Sequence, residues 1–273
     1  MVSEKFLERG GVKIPYYTWD VAHPQAVLIF IHGLKSHAGW FLESGAAFAA
    51  KNIKVYAFDR RGSGKSEAER GHIDDYHLWL EEIRAVCSLA NQENPGLIPH
   101  LLGHCFGARL ALGFEIVSPG SVKSLILMSP PIFSTKADIR IWEKVQVFLS
   151  FFLPVSSPIT VPIRDEMFTG DPEKNRFIAK DHLKLESMTP AFCREVFRLD
   201  RKIERNLSQI TLPCLVLLAK EDEVVRNEKI EKDFLKRLNS KTKKCVTFDS
   251  KHHLFFEPEH EKVMDRIMAW IRS

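Results

Sequence analysis

The sequence predicts an α/β fold, a mostly parallel central sheet flanked by helices, carrying one helical insertion. Three observations predict it. Unbroken apolar runs recur through the first 130 residues and each ends at a turn residue. Helical patterns lie between the runs, and after residue 130 this alternation stops for about eighty residues before another apolar run resumes it. Val/Ile/Leu-rich runs suit strands buried on both faces, and alternation with helices makes those strands parallel.

The elements follow in order. Ala26-Val27-Leu28-Ile29-Phe30-Ile31 reads as a buried strand ending at His32-Gly33. Further runs over 54–58, 98–102 and 124–128 end at Asp59, Gly103 and Ser129, with helical patterns over 76–86 and 109–117. Past Ser129-Pro130-Pro131 the segments turn Phe-rich and charged, so residues 131–210 are expected to form a mostly helical cap inserted in a core of 1–130 and 211–273. Strands over 214–218 and 244–248 follow, and 261–272 closes the chain as an amphipathic helix.

Composition narrows the function. A chain of 273 residues, 45% hydrophobic and 27% charged, fits one soluble core plus an insertion. Its 39 basic residues are scattered among 35 acidic ones for a net charge of +4, which speaks against nucleic-acid binding. Five cysteines, an odd count without paired or metal-like spacing, argue against a disulfide framework and a zinc site and point to a reducing, cytoplasmic setting. The N-terminus has no apolar stretch of the kind an export signal requires. The longest lipophilic stretch, 145–155, is broken by Gln146, Ser150 and Pro154 and falls short of the ~20 residues that span a bilayer.

The chemistry concentrates at Gly103-His104-Cys105-Phe106-Gly107, which stands between an apolar run and a helical pattern. Gly-x-nucleophile-x-Gly in that context is the nucleophile elbow, where a strained turn leaves no room for flanking side chains. A thiol at a helix N-terminus beside a histidine is favoured as thiolate, so Cys105 is expected to be the nucleophile, whereas Cys87, Cys193, Cys214 and Cys245 read as small buried hydrophobes. In such folds an acid and then a histidine follow the nucleophile along the chain. Asp222, just after the 214–218 strand, is the candidate acid, with Glu221 and Glu223 as solvated neighbours. His252 and His253 both follow the last strand, and only one can enter the site because adjacent side chains diverge. The backbone N–H groups of Leu34 and Phe106 are the expected oxyanion donors, and His32, Gly33 and His104 beside them are expected to contact substrate. Asp59 to Ser66 lacks the glycine spacing of a phosphate-binding loop and reads as a braced turn beneath the site.

Assembled, these motifs resemble the monoacylglycerol lipase and lysophospholipase (serine aminopeptidase-like) branch of the α/β-hydrolases over nearly the whole chain. His32-Gly33-Leu34-Lys35-Ser36-His37-Ala38-Gly39-Trp40 is similar to the family's His-Gly-x-x-x-His-Ser-Gly-Arg, and Asp59 to Ser66 to its Asp-x-x-Gly-His-Gly-x-Ser. Leu102 to Ala108 resembles Leu-Gly-His-Ser-Met-Gly-Gly, and Asp222-Glu223-Val224-Val225 resembles Asp-x-Ile-Val. His252 to Pro258 resembles His-Glu-Leu-x-x-Glu-Pro, an alignment that makes His252 the base. In the insertion, Phe168 to Pro172 and Asp181-His182-Leu183 resemble the family's cap. The departures are Cys105 for serine, Ala108 and Ala219 for glycines, and Ser63 for the loop histidine.

The resemblance implies cleavage of an acyl ester or thioester of a lipophilic small molecule through a Cys-His-Asp triad, with no cofactor and no metal. Trp142, Phe148 and Phe152 are expected to line the cap's inner side as an apolar acyl pocket, and the same stripe could instead touch a membrane surface. Sulfur as nucleophile opens acyl transfer to an acceptor other than water as an alternative, because a thioester reacts readily with amines, alcohols and thiols. A non-catalytic binder on the same fold is the remaining alternative.

Overall fold

The computed structural model describes residues 1–273 apart from 134, 137, 138 and 156. It opens on a hairpin absent from the sequence reading, β1 (Val2–Arg9) and β2 (Val12–Trp19), turned at Gly10-Gly11 with both glycines at positive φ. β1 is a mostly exposed edge strand, so it carries no apolar run that would announce it. Then come β3 (Ala26–Ile31), α1 (Leu42–Ala50), β4 (Ile53–Phe58), α2 (His77–Glu93), β5 (His100–His104), α3 (Phe106–Val117) and β6 (Ser124–Met128). β5 begins at His100 rather than Ile98 because Pro99 has no N–H to give a ladder. α3 begins directly after Cys105, three residues earlier than its apolar periodicity suggests.

Between β6 and the next core strand lie α4 (Ile141–Leu149), β7 (Ile159–Thr160), α5 (Pro172–Lys180), β8 (Ser187–Met188) and α6 (Pro190–Asn206), with β7 and β8 paired antiparallel. α5 and α6 start on side-chain caps, Asp171 and Thr189, each followed by a proline preset for the first helical turn. The core resumes with β9 (Cys214–Ala219), passes through α7 (Asn227–Lys229), a π-helical turn and α8 (Leu235–Arg237), and ends with β10 (Lys243–Phe248) and α9 (His260–Ile271).

The strands form one sheet in the order β1-β2-β4-β3-β5-β6-β9-β10, antiparallel at the β1, β2 and β4 pairings and parallel from β4 onward. One face is covered by a cluster that includes Trp79, Phe106, Phe114 and Phe192, the other by one with Phe30, Phe41, Phe48 and Trp270. Chemistry in an open parallel sheet gathers at the strands' carboxyl ends. There β3 delivers His32 to Leu34, β4 Asp59, β5 Cys105, β9 Asp222 and β10 His252.

Candidate active site

Cys105 sits between β5 and α3 at φ 52°, ψ −117°, a backbone conformation that costs energy for any residue with a Cβ. The turn survives because its neighbours are glycines. A Cβ on Gly103 would stand 2.4 Å from the Gly107 carbonyl oxygen, and one on Gly107 would stand 2.1 Å from that of Ile31. The Cys105 N–H donates to Met128 O at 2.9 Å, which ties the elbow to β6, and the side chain is only 3% exposed.

Asp222 and His252 meet behind it. His252 Nδ1–H donates to Asp222 at 2.9 Å (Oδ2) and 3.0 Å (Oδ1), and both side chains are fully buried. Asp222 Oδ1 also accepts the N–H groups of Val224 and Val225 at 2.8 Å each. Burial opposes ionisation of this carboxyl, but the charge and hydrogen bond of His252 and the two backbone donors hold it below the usual aspartate range. For His252 burial likewise disfavours the charged ring; the Asp222 carboxylate and the Cys105 sulfur outweigh it and push the pKa up to about 10. Among the described residues Nε2 makes no hydrogen bond of ordinary geometry, and the Cys105 sulfur is a group whose charge acts on the ring.

The backbone carbonyl of His252 accepts from Ser129 Oγ at 2.8 Å and from His104 Nε2–H at 3.3 Å, so the loop is fixed from below as well as by Asp222. His253 points elsewhere: its ring stacks on Phe256 at 3.9 Å and faces Trp40, Phe41 and His104, and neither nitrogen is hydrogen-bonded among the described residues.

Above Cys105 opens a cavity of about 340 Å³, within the size range of small-molecule sites. Leu34, Cys105 and Phe106 form its floor; Ile163, Phe192 and Val196 are among the apolar residues of its walls and roof. Arg109 and Asp200 mark one side, paired at 3.2 Å.

Several sequence expectations fail here. Trp142, Phe148 and Phe152 do not line the cavity; they are 48%, 63% and 72% exposed, and Phe148 and Phe152 pack on each other at 5.6 Å. The physical reason is that α4 turns its apolar stripe of Ile141, Trp142, Val145 and Phe148 outward and presents only Val147 to the cavity, with Glu143 buried on the inner side, while the wall is built by α6, whose Phe192, Leu199 and Ile203 recur at helical spacing and are buried. That periodicity in 190–206 was the signal to follow. His32, Gly33 and His104 are absent from the cavity lining as well. They lie beneath it, because the turn after β3 and the elbow need buried polar groups to satisfy backbone carbonyls: His32 Nδ1–H donates to Gly33 O at 2.9 Å, and His104 supports His252.

Lys35 reads in sequence as one more loop charge, but the fold encloses it. Its buried ammonium pairs with Asp165 at 2.7 Å and donates to Ile163 O at 3.1 Å, tying the loop after β3 to the segment over the site. Asp181 does the same from the other side, accepting from His37 Nε2 at 3.0 Å and Trp40 Nε1 at 2.7 Å.

An elbow after the fifth strand of a mostly parallel sheet, with an acid and a histidine supplied by later strands, defines the α/β-hydrolase fold. The chain belongs to the serine aminopeptidase, S33, family, whose model matches residues 22–259. It is 26% identical to a monoacylglycerol lipase of Mycolicibacterium smegmatis over 99% of this chain and 97% of that protein. It is 24% identical to monoglyceride lipase of Homo sapiens over 74% of this chain and 66% of that protein. Among solved structures, the monoacylglycerol lipase of Paleococcus ferrophilus superposes with a TM-score of 0.82 at 20% identity, covering 94% of this chain and 98% of that one. A soluble variant of monoglyceride lipase from Saccharomyces cerevisiae, solved with a substrate analog, reaches 0.86 at 16% identity and covers 100% and 94%. Among the described residues no helix is long and apolar enough to cross a membrane.

Proposed function

We propose that this chain cleaves acyl esters or thioesters of lipophilic small molecules through an acyl-cysteine intermediate. The observation that carries the reading is the convergence of Cys105, His252 and Asp222 under one apolar cavity. The Cys105 thiolate attacks the acyl carbon, and the carbonyl electron pair moves to oxygen, where the N–H groups of Leu34 and Phe106 receive it. Collapse of this adduct expels the leaving group, which takes the proton from His252. Water then attacks the thioester with neutral His252 as base, and release of the acid restores thiolate and imidazolium. Asp222 holds the Nδ1–H tautomer throughout.

The relatives named as monoacylglycerol lipases support a lipophilic acyl substrate. Residues 131–210 act in this reading as the cap, with the acyl chain against Phe192 and Val196. The outward face of α4 and the turn after it, with Trp142, Val145, Phe148 and Phe152 exposed, suits transient contact with a lipid surface. Five free thiols suit a reducing, cytoplasmic setting.

Acyl transfer is the second reading, favoured by the sulfur nucleophile itself, 3% exposed in a mostly apolar cavity. A p-nitrophenyl acyl ester tests both. A burst of one nitrophenolate per enzyme is expected, and an undiminished burst from Cys105→Ala would exclude acyl-cysteine chemistry. Added alcohols or thiols that divert product from free acid would establish transfer; free acid alone at every acceptor concentration would exclude it.

A further inference from the structure

Arg60 has no role in the steps above, although its side chain is fully buried beneath the cavity floor. Its guanidinium carbon lies 5.0 Å from the ring centroid of Phe106, 5.6 Å from Phe192 and 5.9 Å from Trp79. Nη2–H donates to Leu34 O at 2.7 Å and more weakly to Gly33 O at 3.4 Å, while Nε and Nη1 have no hydrogen-bond partner among the described residues. A cation held in an aromatic box with donors unmet is a costly way to stabilise a fold. Burial pulls its pKa down to about 9, against the pull of Glu82, Asp59 and Cys105, so the charge persists at neutral pH.

The geometry of one peptide unit gives that cost a purpose. Leu34 N–H and Gly33 C=O belong to the same trans peptide plane and point to opposite sides of it. Whatever holds the Gly33 oxygen therefore aims the Leu34 donor. That oxygen accepts from His32 Nδ1–H at 2.9 Å and from Arg60 Nη2–H. The His32 tautomer is set by the main chain at position 60, whose N–H donates to His32 Nε2 at 3.2 Å whatever the side chain there. Burial, helped by the Arg60 charge, holds His32 well below the usual histidine range and so neutral. The following peptide is fixed as well, because its carbonyl, Leu34 O, is the nearer acceptor of Nη2.

We propose that Arg60 is the positioning residue of the oxyanion hole, clamping both peptide planes around Leu34 so that its N–H stays aimed at the oxygen of the acyl adduct. The proposal rests on the reading of Cys105 as nucleophile and Leu34 as oxyanion donor.

An alkyl trifluoromethyl ketone tests it. The Cys105 sulfur adds to the ketone carbon, the carbonyl pair moves to oxygen, and the adduct's fluorine NMR signal reports both affinity and ionisation of that oxygen. Iodoacetamide alkylation of Cys105, read as its plateau rate at high pH where the sulfur is wholly thiolate, serves as the control, since it needs the thiolate but forms no oxyanion. In Arg60→Met the ketone adduct should weaken about 10- to 100-fold and its oxygen should ionise at higher pH, while alkylation changes less than about threefold. Arg60→Lys, which keeps a charge but loses the planar fork, should fall between. The other charged groups near the adduct, His252 with Asp222 and Arg109 with Asp200, are common to all three proteins. Unchanged adduct affinity and ionisation would overturn the proposal, as would an equal loss in both probes. If Arg60→Met does not fold, the same two outcomes in Arg60→Lys decide. Wild-type protein that forms no adduct would instead refute the nucleophile reading.

Discussion

The floor and the roof of the cavity are built on opposite principles. The floor, made by the turns after β3, β4, β5, β6 and β10, is dense with buried polar groups whose hydrogen bonds fix backbone carbonyls: His32 on Gly33, Arg60 on Leu34, Ser129 and His104 on His252. The roof meets the cavity almost wholly with apolar side chains from α4, α6 and the strands between them. It is held to the floor at its margins, through Lys35 with Asp165 and through His37 and Trp40 with Asp181. A rigid polar floor suits chemistry, where donors must be placed before charge develops. An apolar roof suits a chain of methylenes, which needs volume and dryness more than direction.

The sharpest break of this contrast is on the floor. Asp222→Asn leaves the shape intact but offers the wrong hydrogen-bonding partner to Nδ1, so kcat on an acyl ester should fall about 10³- to 10⁴-fold with little change in thermal melting. A loss under tenfold would show that the pair does not orient the base. On the roof, Val196→Trp should leave short acyl esters untouched and lower kcat/KM for long chains about tenfold, measured across a chain-length series. Equal loss at every length would mean that the chain does not lie along α6.

The floor's charge network also makes a pH prediction. The His252 pKa is raised in the folded state, so its contribution to stability is complete below the unfolded value near 6.5 and drains away as pH rises toward about 10. Denaturant unfolding should show wild-type stability falling over that window, and Cys105→Ala, which removes one of the groups raising the pKa, should flatten the fall. Parallel profiles would mean that sulfur and imidazole are not coupled. The smallest effect belongs to the outer roof. Phe148→Asp with Phe152→Asp should leave turnover of a soluble ester unchanged and reduce co-sedimentation with phospholipid vesicles; undiminished sedimentation would remove that face as the contact.

The same contrast explains what could be read in advance. The core strands and the elbow are visible because burial on both faces writes unbroken apolar runs and a strained turn requires glycines at 103 and 107. Asp222 and His252 follow from chain order and resemblance, and the pairing at 2.9 Å separates His252 from His253. An apolar stripe normally marks a helix's inner side, but that of α4, with Trp142 and Phe148, faces outward, as does Phe152 in the turn beyond it; in α6 the buried positions and the apolar stripe coincide. Arg60 belongs to the turn expected to brace the site from beneath, but the carbonyls it reaches depend on the fold; Lys35 reads in sequence as a solvated loop charge, and only the fold reveals that it is enclosed.

The central claim is that Cys105 carries the acyl group, and intact-protein mass spectrometry tests it most directly. After brief incubation with a panel of acyl esters and acyl thioesters and rapid acid quench, the protein should gain the mass of one acyl group, mapped by peptide digestion to Cys105. Cys105→Ala should gain none. Turnover with no adduct on wild type, or an adduct that persists in Cys105→Ala, would contradict the account.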